Sequence, residues 1–241
     1  MRNVAHAVYV TYAYGVFAFF GLAALAAVLI VPGLRRRRAI ARAAARLFLR
    51  FAGMPLTVTG LERLPVGQCV VVANHASYLD GVVFTAALPP RFAFVIKREM
   101  AGVPLAASML RRIGAEFVER FNRNRGAADA RRLLRKAVGG QSLFFFPEGT
   151  FSTQPGLLKF HAGAFLSAAR AGCPVVPAIV RGTREALPPS GLLPRAAPIT
   201  VELLPPVASS SGDPRSAAAD LRECVRAAIL RRLSEPDLAA A

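Results

Sequence analysis

Short apolar runs alternate with helix-forming segments along most of the chain, and this alternation constrains the fold more than any other feature. Runs typical of buried strands occupy residues 70–73, 92–96, 116–118, 143–146, 175–180 and 199–204. Helical patterns lie at residues 81–88, 105–112, 127–138, 162–171 and 217–232. Strands that alternate with helices build α/β domains, in which helices cover both faces of a largely parallel sheet. The sequence therefore predicts an α/β fold with a mixed, mostly parallel sheet flanked by helices.

The amino-terminal segment has a different character, since no residue from 7 to 34 carries a formal charge. Its densest apolar part, residues 13–31, is long enough to cross a hydrocarbon core of roughly 30 Å at about 1.5 Å per residue. Tyrosines stand at one end and arginines 35–38 close the other, as at membrane interfaces. We therefore predict an N-terminal hydrophobic membrane-anchoring helix, followed by a cytoplasmic remainder. The alternative is a helix that enters one leaflet without spanning.

A basic helix is predicted directly after this anchor, at residues 39–51. Arg42, Arg46 and Arg50 recur every fourth residue, which places them on one helix face. The remaining apolar side chains favour a helix that lies on the membrane surface. We assign residues 1–52 to the anchor and interfacial helix and residues 53–241 to the main domain. Residues 236–241 are expected to fray.

The charge balance indicates an anionic partner. Lys and Arg total 31 against 14 Asp and Glu, a net charge of +17, while 54% of the residues are apolar and the mean hydropathy is +0.41. Nucleic acid and an anionic lipid surface both attract such a chain. The hydropathy favours the anionic membrane surface, and without a recognised nucleic-acid-binding motif we expect no nucleic acid partner. Three isolated cysteines and three scattered histidines predict no metal site.

His75 and Asp80 follow the apolar run 70–73, where open α/β sheets tend to build their sites. His75 is a candidate general base, and Asp80 can hold its second ring nitrogen and stabilise the imidazolium. A His and an Asp at this spacing also brace loops without doing chemistry. No G-x-S-x-G elbow supplies a serine nucleophile, so the pair predicts a base that activates a hydroxyl of the substrate.

Three further blocks follow this H-x4-D motif. They are residues 97–100 leading to 114–120, Phe145-Phe146-Pro147-Glu148-Gly149-Thr150, and Val175-Val176-Pro177-Ala178-Ile179-Val180. In order and spacing the four blocks resemble those of the glycerolipid acyltransferase family, which includes the bacterial 1-acylglycerol-3-phosphate acyltransferases. The resemblance spans roughly residues 53–207 and implies direct acyl transfer without an acyl-enzyme. It implies His75 and Asp80 as the catalytic residues and residues 53–241 as the acyltransferase domain.

The resemblance also implies acceptor-binding residues. Arg120 is expected to contact the acceptor phosphate, with Lys97 as a weaker candidate, and Glu148, Gly149 and Thr150 are expected to bind the acceptor. Independently of the resemblance, Asn74 is a candidate for steadying the site or the developing oxyanion.

One position departs from the family's usual third block. Many lysophosphatidate acyltransferases continue it as E-G-T-R-S, whereas this chain has Phe151 in place of the arginine. The loss of one charge-assisted contact costs roughly 1.5–3 kcal/mol if nothing replaces it. This favours an acceptor other than lysophosphatidate, unless Lys159 or Arg98 restores the charge.

The function predicted is a membrane-bound acyltransferase of the inner (cytoplasmic) membrane, with its catalytic domain facing the cytoplasm. It moves a fatty acyl group from acyl-CoA or acyl-carrier protein to the free hydroxyl of a lysophospholipid such as 1-acylglycerol-3-phosphate. No cofactor is expected beyond the acyl donor as co-substrate. The alternatives are an acyltransferase for another lysolipid, for example an ornithine-type lipid, a non-catalytic lipid-binding protein, and a hydrolase that uses water at the same base.

Overall fold

The computed structural model describes residues 2–119, 123–210 and 212–239. The helices are α1 (Arg2–Ile30), α2 (Leu34–Phe51), α3 (Asp80–Ala87), α4 (Pro104–Arg112), α5 (Arg123–Val138), α6 (Gly163–Ala171), α7 (Thr183–Ala186) and α8 (Pro214–Leu233). The strands are β1 (Leu56–Thr59), β2 (Val70–Ala73), β3 (Ala93–Lys97), β4 (Glu116–Val118), β5 (Leu143–Phe145), β6 (Val175–Arg181) and β7 (Ile199–Leu203). Short 3-10 turns cover Leu61–Arg63 and Arg98–Gly102. Every predicted apolar run is a strand, and every predicted helical pattern is a helix.

The strands form one seven-stranded sheet in the order β1-β7-β6-β2-β5-β3-β4. The strands from β6 to β4 in this order are mutually parallel, whereas β7 is antiparallel to β6 and pairs in parallel with β1. The prediction of a mixed, mostly parallel sheet is therefore confirmed. The sequence pattern does not predict β1, because this edge strand has only four residues, which alternate between half-buried and exposed.

The centre of the sheet is closed to solvent on both faces. All side chains of β2 are buried. Val71 and Ala73 belong to the core layer shared with α2 and α3, while Val70 and Val72 belong to the layer shared with α6 and α8. Helices on both faces leave the strand ends as the accessible part of a parallel sheet.

The first two helices pack against each other and against the domain. α1 carries an apolar stretch, Val4–Ile30, that is long enough to cross a membrane by length and composition. Phe17 of α1 packs edge-on against Phe48 of α2, with ring centroids 5.2 Å apart. Phe48 and Leu49 of α2 are in turn buried in the main core. The domain boundary between residues 52 and 53 stays a prediction.

Two arginines of the predicted basic stripe of α2 contact the end of α3. Arg46 Nε donates to the carbonyl of Ala86 at 2.8 Å, and Arg42 donates to the carbonyls of Ala86 and Ala87, each at 3.3 Å. The last carbonyls of a helix lack partners within it and carry partial negative charge, so they attract cations. Arg42 and Arg46 therefore cap the carboxyl end of α3, a contact that their helical spacing does not predict, and the interfacial position of α2 stays a prediction.

The prediction of a frayed tail is also wrong for residues 236–239. Asp237 pairs with Leu157 in a parallel bridge, and its carboxylate binds Arg226 of α8. The sequence does not predict that the tail is ordered, because the residues that bind it lie in other parts of the chain. Residues 240 and 241 lie outside the described residues.

Candidate functional site

The predicted site residues follow the carboxyl ends of neighbouring parallel strands. Asn74 and His75 come directly after β2, and Glu148 follows β5 closely. Lys97 is the last residue of β3. Because these strands are mutually parallel, their carboxyl ends meet at one edge of the sheet. The fold thus draws residues from separate blocks toward one edge.

His75 and Asp80 form a close pair. His75 Nδ1 lies 2.7 Å from Asp80 Oδ2, and the same oxygen accepts the main-chain N–H groups of Ala76 at 2.7 Å and Ser77 at 2.9 Å. Asp80 is fully buried, while 17% of the His75 side chain is exposed. Asp80 begins α3, where the helix dipole favours a negative charge. An ionised carboxylate only accepts, so Nδ1 carries the proton and Nε2 is left as the basic nitrogen.

Aromatic rings fix the imidazole on two sides. Phe146 stacks on His75 with centroids 4.1 Å apart and an interplanar angle of 13°. Phe151 meets His75 edge-on at 4.6 Å and also contacts Tyr78 at 4.8 Å. The sequence identifies Phe151 only as the replacement of an arginine and does not predict that Phe146 and Tyr78 lie beside the His75–Phe151 pair. The rings limit rotation of His75 and make the surroundings of the base aromatic.

Glu148 lies beneath the main chain at His75 rather than at the surface. Its Oε1 accepts the main-chain N–H of His75 at 2.6 Å, and its Oε2 accepts that of Leu158 at 2.8 Å. Only 3% of Glu148 is exposed. Burial raises the pKa of Glu148 to about 7, against the lowering effect of these two hydrogen bonds. Gly149 adopts a φ of +76°, which allows the chain to turn directly after Glu148.

Asn74 braces the loop that carries His75. Its side-chain amide donates to the carbonyl of Val180 at 3.0 Å and accepts the Val180 N–H at 2.8 Å. Both polar atoms of the amide are therefore occupied by β6. Asn74 joins the end of β2 to its neighbour in the sheet, which favours a steadying role over direct contact with a substrate.

The predicted acceptor-binding side is more open. Lys97 and Thr150 are exposed, so both are accessible to a ligand. Arg98 binds both oxygens of Asp129, at 2.9 and 2.7 Å, so its charge is already paired. Arg120 lies outside the described residues. The roles of these residues in substrate binding stay predictions.

Two side-chain contacts join the segment around α7 to the loops of the site. Arg184 of α7 donates to the carbonyl of Ser152 at 2.6 Å and to that of Thr153 at 3.3 Å. Ser77 donates to the carbonyl of Leu187 at 2.7 Å, just after the same helix. The segment around α7 therefore contacts both the His75 loop and the Phe151 loop. No local pattern marks these contacts, since each joins distant parts of the chain.

No group of three or more His, Cys, Asp or Glu side chains within the described ranges is arranged to hold a metal ion. The prediction that the chemistry requires neither metal nor cofactor stays a prediction.

Comparisons with known proteins agree with the four-block pattern. A family model described as Acyltransferase matches residues 55–181. The chain is 34% identical over 133 residues to the chloroplastic 1-acyl-sn-glycerol-3-phosphate acyltransferase BAT2 of Brassica napus, covering 54% of this chain and 38% of that protein. It is 29% identical over 142 residues to the 1-acyl-sn-glycerol-3-phosphate acyltransferase of Escherichia coli (strain K12), covering 58% of this chain and 57% of that protein.

The fold has a counterpart among solved structures. The crystal structure of the 1-acyl-sn-glycerophosphate acyltransferase PlsC from Thermotoga maritima matches with a TM-score of 0.77 at 21% identity, over 96% of this chain and 98% of that chain. The sequence alignments span about two fifths of the plant relative and little more than half of the bacterial one. The family model covers more than half of this chain and includes the His75–Asp80 pair and the Glu148 loop. The identification made from the four blocks is therefore confirmed, and the chain belongs to the acyltransferase family.

Proposed function

We propose that this protein is a membrane-bound acyltransferase that moves a fatty acyl group from acyl-CoA or acyl-carrier protein to the free hydroxyl of a lysophospholipid. With 1-acylglycerol-3-phosphate as acceptor, the product is phosphatidate. The observation that carries the proposal is the partly exposed His75, whose Nδ1 is held 2.7 Å from the fully buried Asp80. The names of the relatives, 1-acyl-sn-glycerol-3-phosphate acyltransferases, support the same reaction.

The proposed chemistry is a direct transfer. Nε2 of His75 takes the proton of the acceptor hydroxyl as its oxygen attacks the thioester carbonyl. A new C–O bond forms, the C–S bond breaks, and the imidazolium returns the proton to the departing thiolate. Asp80 orients the ring and stabilises its positive charge. A general base of this kind contributes roughly 10²- to 10⁴-fold in rate, and fixed placement of both substrates contributes further.

Glu148 supports this chemistry from below. It accepts the main-chain N–H of His75, so it fixes the position of the backbone that carries the base. We infer that Glu148 holds the site in place and that Gly149 and Thr150 form the face toward the acceptor. Thr150 is exposed and offers a hydroxyl that can donate or accept.

Phe151 limits which lysolipids are candidates for the acceptor. The ring lies against His75 and Tyr78, where the family's common block places an arginine. Arg98 does not replace that charge, because Asp129 already binds it. Lys97, Lys159 and Arg120 remain to bind a phosphate. We therefore retain a second candidate within the same reaction, in which the acceptor is another lysolipid, such as an ornithine-type lipid.

We further propose that α1 lies in one leaflet rather than across the bilayer. Near its start, Tyr9 donates to the carbonyl of Ala52 at 2.7 Å. Near its end, Arg112 Nε donates to the carbonyl of Val28 at 3.2 Å. These contacts lie about 30 Å apart along the helix at 1.5 Å per residue. Ala52 directly follows α2 and is buried in the main core, and Arg112 lies on α4 of the main domain. A helix held near both ends by segments that pack into one core keeps both ends on one side of the membrane.

The exposed apolar side chains of α1 supply the surface that enters the lipid. They are Val4, Val8, Phe17, Phe19, Leu22, Leu29 and Ile30. Anionic lipids of the inner (cytoplasmic) membrane attract the net charge of +17 from the cytoplasmic side. We expect this orientation to bring the site to the leaflet that contains its acceptor.

Labelling by a membrane-impermeant thiol reagent tests the orientation. In a Cys224→Ser background, Val4→Cys and Val138→Cys each provide one exposed thiol, because Cys69 and Cys173 are buried. In a leaflet-bound protein neither thiol reacts in vesicles whose cytoplasmic face points inward, and Val138→Cys reacts when that face points outward. Reaction of Val4→Cys in vesicles whose cytoplasmic face points inward shows a spanning helix.

Mass spectrometry of lipid products tests the reaction. Detergent-purified protein is given acyl-CoA or acyl-carrier protein donors with mixed lysolipid acceptors, alongside His75→Ala. A new diacyl lipid that is absent with His75→Ala identifies both the transfer and the acceptor. Free fatty acid formed without an acceptor indicates a hydrolase. If no pair of substrates gives a product and the protein is folded, the non-catalytic lipid-binding alternative replaces the proposal.

A further inference from the structure

A segment near the carboxyl terminus lies along the chain that leads out of the Glu148 loop. We call residues 235–239 the C-terminal strap. Leu157 donates its main-chain N–H to the carbonyl of Pro236 at 2.9 Å, and its own carbonyl accepts the N–H of Leu238 at 3.0 Å. This pairing ties the strap to a segment whose Leu157 side chain is fully buried.

Gly156 shows how closely the strap approaches. Its N–H donates to Glu235 Oε2 at 2.7 Å. A Cβ at this position would lie 2.4 Å from Cγ of Leu238 and 3.0 Å from the carbonyl oxygen of Pro236, and φ is +144°. Only glycine fits both the space and the backbone conformation here. The strap therefore packs directly against the main chain at Gly156.

Arg226 of α8 holds the strap and the neighbouring segment together. Its guanidinium binds both oxygens of Asp237, at 2.8 and 2.5 Å. It also donates to the carbonyls of Leu157 at 3.1 Å and Leu158 at 3.3 Å. Only 13% of the Arg226 side chain is exposed. A planar guanidinium can serve several acceptors at fixed angles, which a lysine cannot do.

The next peptide along connects this cluster to the base. Leu158 accepts from Arg226 through its carbonyl and donates its N–H to Glu148 Oε2 at 2.8 Å. The other oxygen of Glu148 accepts the N–H of His75 at 2.6 Å. A continuous set of hydrogen bonds thus runs from α8 and the strap to the main chain of His75.

Charged groups along the same path also act on the Glu148 carboxylate. Burial is the main reason that the pKa of Glu148 is raised, the N–H groups of Leu158 and His75 lower it, and repulsion by Asp80 and Glu235 raises it further. Arg226 attracts the Glu148 carboxylate. An ionised carboxylate is the stronger acceptor for the His75 N–H. Loss of the cation should therefore weaken the support beneath His75 at neutral pH.

We propose that Arg226 is a positioning residue for the acyl transfer, which acts through the C-terminal strap and Leu158 to hold Glu148 beneath the main chain of His75. The kinetic consequences rest on the proposed function. The contacts themselves can be tested without turnover.

Hydrogen exchange of the full-length, detergent-solubilised protein tests the contacts. Arg226→Gln should increase exchange about fivefold or more in peptides that cover residues 156–158 and residues 74–77, because both ends of the path lose support. Asp237→Asn should increase hydrogen exchange more in residues 156–158 than in residues 74–77. If Arg226→Gln increases exchange at 156–158 but leaves 74–77 as in the wild type, the path does not reach His75 and the proposal is wrong.

Steady-state kinetics across pH test the consequence. Arg226→Gln should lower kcat about tenfold at pH 7 and leave KM for the acceptor within about twofold, since the change acts on the base rather than on binding. The loss should shrink toward pH 9, where Glu148 ionises without the cation. Arg226→Lys keeps the charge and should recover the pH profile. A uniform loss at every pH, in proportion to the unfolded fraction, indicates a merely structural role.

Arg222→Gln is the matched control. Arg222 also lies on α8, one turn before Arg226, and it pairs at 3.1 Å with Glu223 rather than with Asp237 of the strap. If Arg226→Gln and Arg222→Gln agree in both exchange and kinetics, the proposal is wrong. If the wild type forms no acyl lipid but Arg226→Gln still increases exchange at residues 74–77, the proposed function fails and the positioning contacts stand.

Discussion

The half of the site proposed to hold the base and the half proposed to face the acceptor differ in how far along the chain their contacts reach. Asp80 contacts His75, Ala76 and Ser77, all within five residues. The loop that carries Phe151 is held instead by Arg184, 32 residues beyond Ser152. The His75–Asp80 pair is therefore a local motif at a strand end, although Glu148 supports its main chain from 73 residues away, while the Phe151 loop is held by a contact between distant segments. This difference suggests that the chemistry is fixed by the motif and that acceptor choice can change by substitution in the loop.

Removal of the base should have the largest effect. His75→Ala is expected to lower kcat roughly 10²- to 10⁴-fold, because the imidazole that takes the hydroxyl proton is removed. Initial rates of diacyl lipid formation measure this, with circular dichroism to show that the variant is folded. Turnover within a few fold of the wild type would remove His75 from the mechanism.

Glu148 should give the stability of the protein a distinctive pH dependence. Its folded-state pKa is raised from 4.5 to about 7, so its contribution to stability is fully present below pH 4.5 and is lost as the pH rises through 7. The difference in unfolding free energy between wild type and Glu148→Gln should therefore change by about 3 kcal/mol between pH 4.5 and pH 8. Thermal or denaturant unfolding at several pH values measures it. A difference independent of pH would show that Glu148 ionises normally.

A change at Phe151 should alter acceptor choice rather than chemistry. Phe151→Arg adds a charge-assisted contact worth about 1.5–3 kcal/mol to a phosphate acceptor, which is roughly a tenfold or greater gain in preference for lysophosphatidate. A lysolipid panel with Phe151→Leu as the uncharged control measures the shift. Unchanged preference across the panel would mean that this position does not face the acceptor.

Arg184 should have the smallest effect of these four residues. Arg184→Lys keeps the charge but cannot bind the carbonyls of Ser152 and Thr153 in the same geometry. We expect KM for the acceptor to rise about fivefold, or about 1 kcal/mol, with kcat nearly unchanged. Kinetics with the preferred acceptor test this. A fall in kcat at constant KM would place Arg184 with the base half instead.

The same contrast explains what could be predicted from one sequence. The strands and the His75–Asp80 pair follow from apolar runs and a five-residue spacing, which are local signals. The capping of α3 by Arg42 and Arg46, the clamp by Arg184 and the strap held by Arg226 join segments tens of residues apart. A helical spacing of arginines shows that they share a face, but it does not show what that face contacts.

A double-mutant cycle of His75→Ala and Asp80→Asn tests most directly whether the pair works as one catalytic unit. In the proposed mechanism Asp80 contributes to turnover through the imidazole. We therefore predict that adding Asp80→Asn to His75→Ala lowers kcat by less than twofold, although Asp80→Asn alone lowers it about a hundredfold or more. Losses that multiply in the double variant would show that Asp80 acts independently of His75, which contradicts the proposed mechanism.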